Sequence, residues 1–260
     1  MFIMILLIGS DTRNGWYGNS DSMILASINS QTKTIYMTSF MRDLYANIPN
    51  VGIRKLNSAY AVGGGPLLVS TIESNYRVDI DNYASVDFSS MASIIDMVGG
   101  VDLEVSTQEA GYINMYLDEQ CRLQGLNASD YYVAGGGITH LNGNQAVGFA
   151  RIRYTSRGNE HSDYGRTSRQ REILVQLMQK ARSLDATTLL AVVNNMLPLI
   201  THNIDAATLT TLIANAPSYI NYDIQTDRIP YDGLYSNLGE ELVPDFEATI
   251  NRLHQTIYGN

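Results

Sequence analysis

The sequence predicts an α/β fold, a layered α-β-α domain in which helices flank a central mixed β-sheet. The first observation is that the chain opens with three apolar, β-compatible runs separated by turn residues. These runs cover residues 2–8, 22–29 and 34–41. The second is the alternation of a strand pattern at 83–88, a helical pattern at 89–98 and a strand pattern at 101–105. Such alternation is typical of helices packed on a mixed sheet.

The elements between and after these patterns follow from local signals. Residues after Pro49 are predicted to be irregular until Leu56–Tyr60 begins a short helix. Gly63–Gly65 interrupt this helix, and Pro66–Tyr76 continue it with proline in a tolerated first-turn position. Further helices are predicted within 108–132 and over 146–151, 187–196, 206–214 and 245–257, with a glycine turn at 135–137 and a strand at 224–229.

Length and composition limit the possible functions. The 260 residues are predicted to form one domain over 1–260. The net charge of −9 and the isoelectric point near 4.8 argue against nucleic-acid binding as the main function. Cys121 is the only cysteine, so no internal disulfide can form. The opening MFIMILLI is apolar but too short to span a bilayer, and it predicts a buried strand.

One short stretch, Arg151 to Arg171, holds much of the positive charge of this acidic chain. Six of the 17 Lys and Arg residues lie in it: Arg151, Arg153, Arg157, Arg166, Arg169 and Arg171. Arginine is suited to bidentate contact with phosphate oxygens, although a solvated helix face is the simpler interpretation of an arginine-rich segment. His161 lies inside the stretch and is a candidate for acid–base work.

The helix that follows favours an anion site over a solvated face. Its apolar stripe, at helical spacing, comprises Ile173, Leu174, Leu177, Met178 and Ala181. Extended backwards in steps of three and four, the stripe reaches Gln170, Arg169 and Arg166. A buried guanidinium is costly unless a partner or an anion satisfies it. An anion at the start of the helix, helped by the helix dipole, would do so.

Polar side chains also collect at the ends of the three opening strands. If these strands run antiparallel, Asp11, Asp21 and Arg42 meet at one edge of the sheet. The group has two interpretations, a structural salt bridge with turn-forming aspartates or a functional site. The four histidines show no pair at zinc spacing, and no GxSxG nucleophile motif is present.

An ordered set of motifs resembles the LytR-CpsA-Psr family, also described as the cell envelope-related transcriptional attenuator domain. The motifs are GSDTR at Gly9–Arg13, NSDSMIL at Asn19–Leu25, the pair Arg42–Asp43, KLNSAYAVGG at Lys55–Gly64, HLNGNQAVGFARIRY at His140–Tyr154 and YGRTSRQREIL at Tyr164–Leu174. Many members carry arginine where this chain has Asn19, and asparagine there resembles the capsule-associated subgroup. The resemblance covers nearly the whole chain.

The resemblance implies an envelope enzyme of mainly Gram-positive bacteria. Such enzymes transfer a glycopolymer (capsule, teichoic acid or another secondary wall polymer) from a polyprenyl-pyrophosphate carrier to peptidoglycan. They need Mg²⁺, with Mn²⁺ possible, and no nucleic-acid partner. They are single-pass membrane proteins whose catalytic domain is extracellular, which implies an N-terminal anchor that this chain lacks. The fold expected is the α/β domain described above.

The resemblance also assigns residues. Asp11 and Asp21 correspond to the magnesium ligands. The pyrophosphate-binding set comprises Arg13, Arg42, Arg151, Arg153, Arg166, Arg169 and Gln170, with Arg171 as a further member. Asp21, Arg42 and Asp163 are assigned to catalysis, and either Asp21 or Asp163 is the general base. Magnesium and arginines suit phosphoryl transfer because that chemistry depends on positioning and charge neutralisation.

Two other functions use the same residues. A lipid-pyrophosphate hydrolase would use water as the acceptor. A non-catalytic regulator would bind the anionic lipid and transfer nothing. Measuring glycan-phosphate release with and without peptidoglycan distinguishes the first from the transferase. The regulator would tolerate Asp11→Ala but not Arg42→Ala in the cell.

Overall fold

The computed structural model describes residues 2–10, 18–125, 127–158 and 162–259, without the side chains of residues 123 and 124. The chain forms two compact units. The first comprises Met1–Asp87 and Ile200–Asn260, and the second comprises Phe88–Leu199. The prediction of a single domain over 1–260 stays a prediction.

The described residues contain twelve strands and eight α-helices. The strands are β1 (Phe2–Ser10), β2 (Ser20–Asn29), β3 (Thr34–Phe40), β4 (Tyr45–Ile48), β5 (Gly52–Lys55), β6 (Asn82–Asp87), β7 (Val101–Val105), β8 (Gly137–Leu141), β9 (Thr201–His202), β10 (Asp223–Ile229), β11 (Tyr235–Leu238) and β12 (Glu241–Pro244). The helices are α1 (Ser58–Tyr76), α2 (Phe88–Met97), α3 (Thr107–Gln124), α4 (Gly143–Arg151), α5 (Ser162–Arg182), α6 (Ala186–Met196), α7 (Ala206–Tyr219) and α8 (Phe246–Tyr258). Short 3₁₀ turns lie at Ala128–Tyr131 and Leu197–Leu199.

The first unit is built on a six-stranded mixed sheet in the order β10-β3-β2-β1-β6-β9. β1, β2 and β3 are antiparallel to one another, which is the condition for the predicted meeting of Asp21 and Arg42. β6 lies parallel to β1, and β10 lies parallel to β3. The predicted α/β fold class with a central mixed sheet is therefore confirmed.

Apolar side chains on neighbouring strands hold the centre of this sheet. Leu6 and Leu25 lie opposite each other on β1 and β2, and both are fully buried. α1 packs against β2 and β6 and also contacts α8. The predicted glycine interruption of α1 is present, because Gly63 and Gly64 leave helical geometry and Gly64 has φ +64°. Only glycine adopts that backbone conformation readily.

The second unit is mostly helical and contains a hairpin of β7 and β8. Its core includes Leu103 on β7, Ile113 on α3, Phe149 on α4 and Ile173 on α5. α3 and α4 both begin with complete capping boxes, at Ser106 and Asn142, which satisfy amide groups of their first turns.

Several short elements differ from the sequence prediction. β7 pairs only with β8 among the described strands and does not enter the central sheet. β8 begins at Gly137, at the end of the predicted glycine turn. Residues 45–55 form a hairpin, although the chain after Pro49 was predicted to be irregular, and 235–244 form another hairpin. These strands have four or five residues each, too few for the alternation of side chains to be distinctive.

Among the described residues, no helix combines the length and the apolar character needed to cross a membrane.

Candidate functional site

The first group of predicted site residues lies at one edge of the central sheet. The pairing of β1 with β2 changes register after Gly9. Gly9 lies opposite Ser22, whereas the next residue, Ser10, lies opposite Ser20. Asp21 is thus the extra residue at a β-bulge, a feature that re-aims side chains. A side chain at position 9 would approach Ser22, since an added Cβ lies 3.1 Å from the Cβ of Ser22.

Arg42 follows the end of β3 and joins this group. Its Nη1 donates to Oδ1 of Asp21 at 2.8 Å, and both side chains are about one-fifth exposed. The sequence prediction that Asp21 and Arg42 meet at one sheet edge is confirmed. Asp11 and Arg13, the other predicted members of this edge, lie outside the described residues.

Sequence reasoning missed a second cation beside this pair. Lys55 Nζ lies 3.0 Å from Oδ1 of Asp43 and donates to Oε2 of Glu240 at 3.1 Å. The hydrogen bond with Asp43 is the main reason that the pKa of Lys55 is raised. Asp43 also lies 3.6 Å from Nε of Arg42. The signal was present in the sequence, because Lys55 opens the motif KLNSAYAVGG.

The carboxylates at this edge have the right chemistry for magnesium, which prefers hard oxygen ligands and keeps several waters. Asp21 offers such oxygens, while Asp43 is engaged by Lys55. Across the described part of the chain, no three His, Cys, Asp or Glu residues are grouped to hold a metal ion. Because Asp11 is not described, the magnesium site remains a prediction.

The second group belongs to the helical unit and comprises the arginines from α4 to α5. The predicted burial of arginines along the apolar stripe of α5 is confirmed. Arg166 is 3% exposed, Arg169 is 0% exposed and Arg171 is 8% exposed. Gln170, on the same helix, is half-buried. His161 lies outside the described residues.

Arg151, the last residue of α4, is held by aromatic rings. Its guanidinium carbon lies 4.9 Å from the ring centre of Phe88 and 4.6 Å from that of Tyr116. The hydroxyl of Tyr116 donates to the carbonyl of Arg151 at 3.1 Å. Nη2 of Arg151 lies 3.5 Å from Oε2 of Glu119. These contacts fix the position of the guanidinium, and the ring contacts leave its charge undiminished.

Asp163, in the first turn of α5, is shared between two guanidinium groups. Its Oδ1 lies 3.5 Å from Nε of Arg153 and 3.4 Å from Nη2 of Arg166. Arg153 is the more exposed of the two side chains. The structure thus brings together three residues that the sequence assigned to the site, while their roles remain predictions.

Three of these arginines influence the pKa of Tyr116. Burial is the largest influence on its pKa and raises it. The positive charges of Arg151, Arg153 and Arg166 oppose this effect, and the pKa remains raised. Three guanidinium groups therefore act electrostatically on one phenol, which indicates a local positive region on an acidic protein.

Arg157 and Arg169 belong to the same segment, but their surroundings differ from those of Arg153 and Arg166. Nε of Arg169 donates to Oε1 of Glu109 at 2.9 Å, inside the core of the second unit. Its other nitrogens donate to the carbonyls of Ile152, Thr155 and Ser156 at 3.1–3.3 Å. Arg157 donates to Glu172 and lies 3.5 Å from Glu109. Internal oxygen atoms thus accept the hydrogen bonds of the Arg169 guanidinium, and no ligand is required for its burial.

Comparison with known proteins identifies the class. The family model described as "LytR_cpsA_psr family" matches residues 2–253. The chain belongs to the LytR-CpsA-Psr family, as the motifs indicated.

Individual relatives support this assignment. Polyisoprenyl-teichoic acid–peptidoglycan teichoic acid transferase TagU of Oceanobacillus iheyensis is 34% identical over 270 aligned positions, covering 99% of this chain and 76% of that protein. Biofilm regulatory protein A of Streptococcus mutans is 30% identical over 71% of this chain. The aligned part is 45% of that protein, so the match spans less than half of its length.

A solved structure supports the fold. YwtF (TagT), a Bacillus subtilis protein solved with bound octaprenyl pyrophosphate lipid, has a TM-score of 0.69 to this chain. The match has 20% identity and covers 100% of this chain and 91% of that one.

Proposed function

We propose that this protein is a phosphotransferase that moves a glycopolymer from a polyprenyl-pyrophosphate carrier to peptidoglycan. The observation that carries the proposal is the placement of three predicted pyrophosphate-binding arginines: Arg151 lies over the ring of Tyr116, and Arg153 and Arg166 share one carboxylate oxygen of Asp163. Guanidinium groups so arranged suit an anion with several oxygens, such as a pyrophosphate. The similarity to TagU over 99% of the chain supports the same chemistry.

The reaction is one phosphoryl transfer. A hydroxyl of peptidoglycan attacks the phosphorus that bears the glycan, and the bond from this phosphorus to the bridging oxygen of the pyrophosphate breaks. Polyprenyl monophosphate leaves, and the glycan becomes joined to peptidoglycan through a phosphodiester. The hydroxyl proton passes to a carboxylate, either Asp21 or Asp163. The reaction needs no oxidant or reductant.

The arginines would stabilise the charge that develops on the phosphate oxygens. Arg151 and Arg166 are held by neighbouring side chains, so little reorganisation is needed when the ligand binds. Arg153, on the segment between α4 and α5, would be the more adaptable contact because it is about one-third exposed. Gln170 and Arg171 remain proposed members of this set, as do Arg13 and Arg42.

Magnesium enters the proposal as a cofactor that Asp11 and Asp21 would hold, with Mn²⁺ as a possible substitute. When bound, it would neutralise negative charge on the phosphates. Arg42 donates to Asp21 and so orients its carboxylate. We also propose a membrane location, with the catalytic domain outside the cell, in line with the family resemblance.

The function is tested by incubating the protein with a labelled glycan on polyprenyl pyrophosphate, with and without peptidoglycan. The proposal expects label on peptidoglycan and release of polyprenyl monophosphate only when the acceptor is present. Release without acceptor would make the protein a hydrolase. Binding without release in either case would make it a lipid-binding regulator. Arg166→Ala should slow the transfer strongly. Arg182 is an exposed arginine on the same helix, and Arg182→Ala should leave the transfer unchanged.

A further inference from the structure

The segment that carries Arg153 has no helix or extended strand of its own. α4 ends at Arg151, and residues 152–156 lie in irregular chain before α5 begins at Ser162. At its start, the amide of Ile152 donates to the carbonyl of Phe149 at 3.3 Å, and Ile152 is fully buried. After Ile152, the position of Arg153 depends on the contacts made by the backbone carbonyls of the neighbouring residues.

Arg169 holds three of those carbonyls. Its Nη1 donates to Ile152, and its Nη2 donates to both Thr155 and Ser156. The acceptors lie on both sides of Arg153 in sequence. One rigid, planar guanidinium therefore fixes the curve of the chain that presents Arg153.

Glu109 fixes Arg169 in turn. It is 2% exposed, and its Oε1 accepts from Nε of Arg169 at 2.9 Å. Its Oε2 accepts from the amide and the hydroxyl of Ser106 at 2.9 Å each, in the capping box of α3. Because the first turn of α3 anchors this carboxylate, Glu109 ties the segment after α4 to a helix that starts about fifty residues earlier in the chain.

The charges within this network balance. Glu109 and Glu172 supply two negative charges, and Arg157 and Arg169 supply two positive ones. Arg157 and Arg169 also lie near the ring of Phe149, at 5.3 Å and 5.7 Å from its centre. Glu109 and Arg169, at the centre of this network, are almost fully buried, so removing either one leaves a buried charge without compensation.

We infer that Glu109 and Arg169 are positioning residues: they form a buried clamp that sets the place of Arg153 for ligand binding. The inference rests on the proposed function in taking Arg153 as a ligand contact. The family resemblance assigns Arg169 to pyrophosphate binding. In this inference Arg169 acts indirectly, by holding the backbone that positions Arg153. Glu109 has no counterpart among the residues that the sequence motifs assigned.

The clamp itself is tested by hydrogen exchange of the backbone amides, without any ligand. Glu109→Gln removes the charge that pairs with Arg169, and Arg169→Lys keeps the charge but loses the fork that reaches three carbonyls. Both variants should exchange faster at residues 153–156 than the parent, with exchange in α4 unchanged. Glu172→Gln is the matched control, because Glu172 contacts Arg157 and holds none of these carbonyls. Parent-like exchange at 153–156 in both clamp variants would overturn the inference.

The functional consequence is tested with octaprenyl pyrophosphate as the probe. Glu109→Gln should weaken its binding roughly tenfold, because displacing a contact by about 1 Å costs that much or more. In the Arg153→Ala background, the same change should have little further effect, since the clamp acts through Arg153. A merely structural loss would weaken binding equally in both backgrounds, and that result would overturn the positioning role.

The two experiments separate the clamp from the proposed function. If the parent failed to bind octaprenyl pyrophosphate, the ligand assignment would fall, while faster exchange at 153–156 would still establish the clamp. If Glu109→Gln failed to fold, Arg169→Lys would carry both measurements. Parent-like binding by folded clamp variants would contradict the inference and leave the proposed function intact.

Discussion

Two sets of arginines within one short segment have opposite surroundings. Arg157 and Arg169 lie in a balanced network with Glu109 and Glu172. Arg153 and Arg166, in contrast, share a single oxygen of Asp163. The difference teaches that burial of an arginine does not by itself indicate a ligand site. What distinguishes these contacts is the number of acceptors: two carboxylates and three backbone carbonyls in one set, and one carboxylate oxygen in the other.

The largest effect on stability is expected from the balanced network. Arg169→Met removes the partner of a buried carboxylate and three hydrogen bonds to carbonyls. It should lower the free energy of unfolding by about 3–5 kcal/mol, measured by urea denaturation. Arg166→Ala should lower it much less, because Asp163 keeps Arg153 as a partner. Equal losses in the two variants would remove the distinction between the sets.

The largest effect on activity is expected from the other set. Arg166→Ala should lower the rate of glycan transfer by about 10²–10³-fold, as loss of one donor to a developing oxyanion does. The rate is measured at saturating lipid with folding checked by circular dichroism. Arg182→Ala is the control on the same helix. A parent-like rate for Arg166→Ala would exclude that arginine from the site.

A smaller effect is expected at the rings that hold Arg151. Tyr116→Leu removes a cation–π contact, which contributes about 0.5–2 kcal/mol, and also the hydrogen bond to the carbonyl of Arg151. Binding of octaprenyl pyrophosphate should weaken by about three- to thirtyfold, as measured by titration. Tyr116→Phe keeps the ring and should weaken binding less. Equal weakening by the two variants would assign the effect to the hydroxyl.

The smallest effect is expected in the pH dependence of the free energy of unfolding. The pKa of Glu109 is lowered from its ordinary value of 4.5: burial raises it, but the bonds from Ser106 and Arg169 and the charge of Arg157 outweigh burial. A lowered folded-state pKa means that the stabilising contribution is complete above pH 4.5 and is lost as the pH falls through the lowered value. The difference in unfolding free energy between the parent and Glu109→Gln should therefore shrink on acidification. A constant difference would contradict the assignment.

Much of the fold could be predicted because its signals are local. The runs that became β1, β2 and β3 are long and apolar, and their antiparallel order brings Asp21 to Arg42. The stripe of α5 correctly indicated that Arg166 and Arg169 are buried. Both results needed only periodicity and strand order.

The rest depends on contacts between distant parts of the chain. Glu109 is sixty positions before Arg169, and nothing in its local sequence distinguishes it from any acidic residue that caps a helix. The contact of Lys55 could not be predicted either, because its partner Glu240 lies 185 positions later in the chain. The short hairpins at 45–55 and 235–244 were missed because four-residue strands carry almost no periodic signal.

The phosphorus chemistry of the product shows whether the protein transfers the glycan to peptidoglycan. After incubation with polyprenyl-pyrophosphate glycan and peptidoglycan, the polymer is digested to muropeptides and examined by ³¹P NMR and mass spectrometry. Our account predicts a phosphodiester between glycan and muropeptide, formed by the parent and by Arg182→Ala but not by Arg166→Ala. A glycan bearing a phosphate monoester, with unmodified muropeptides, would contradict it.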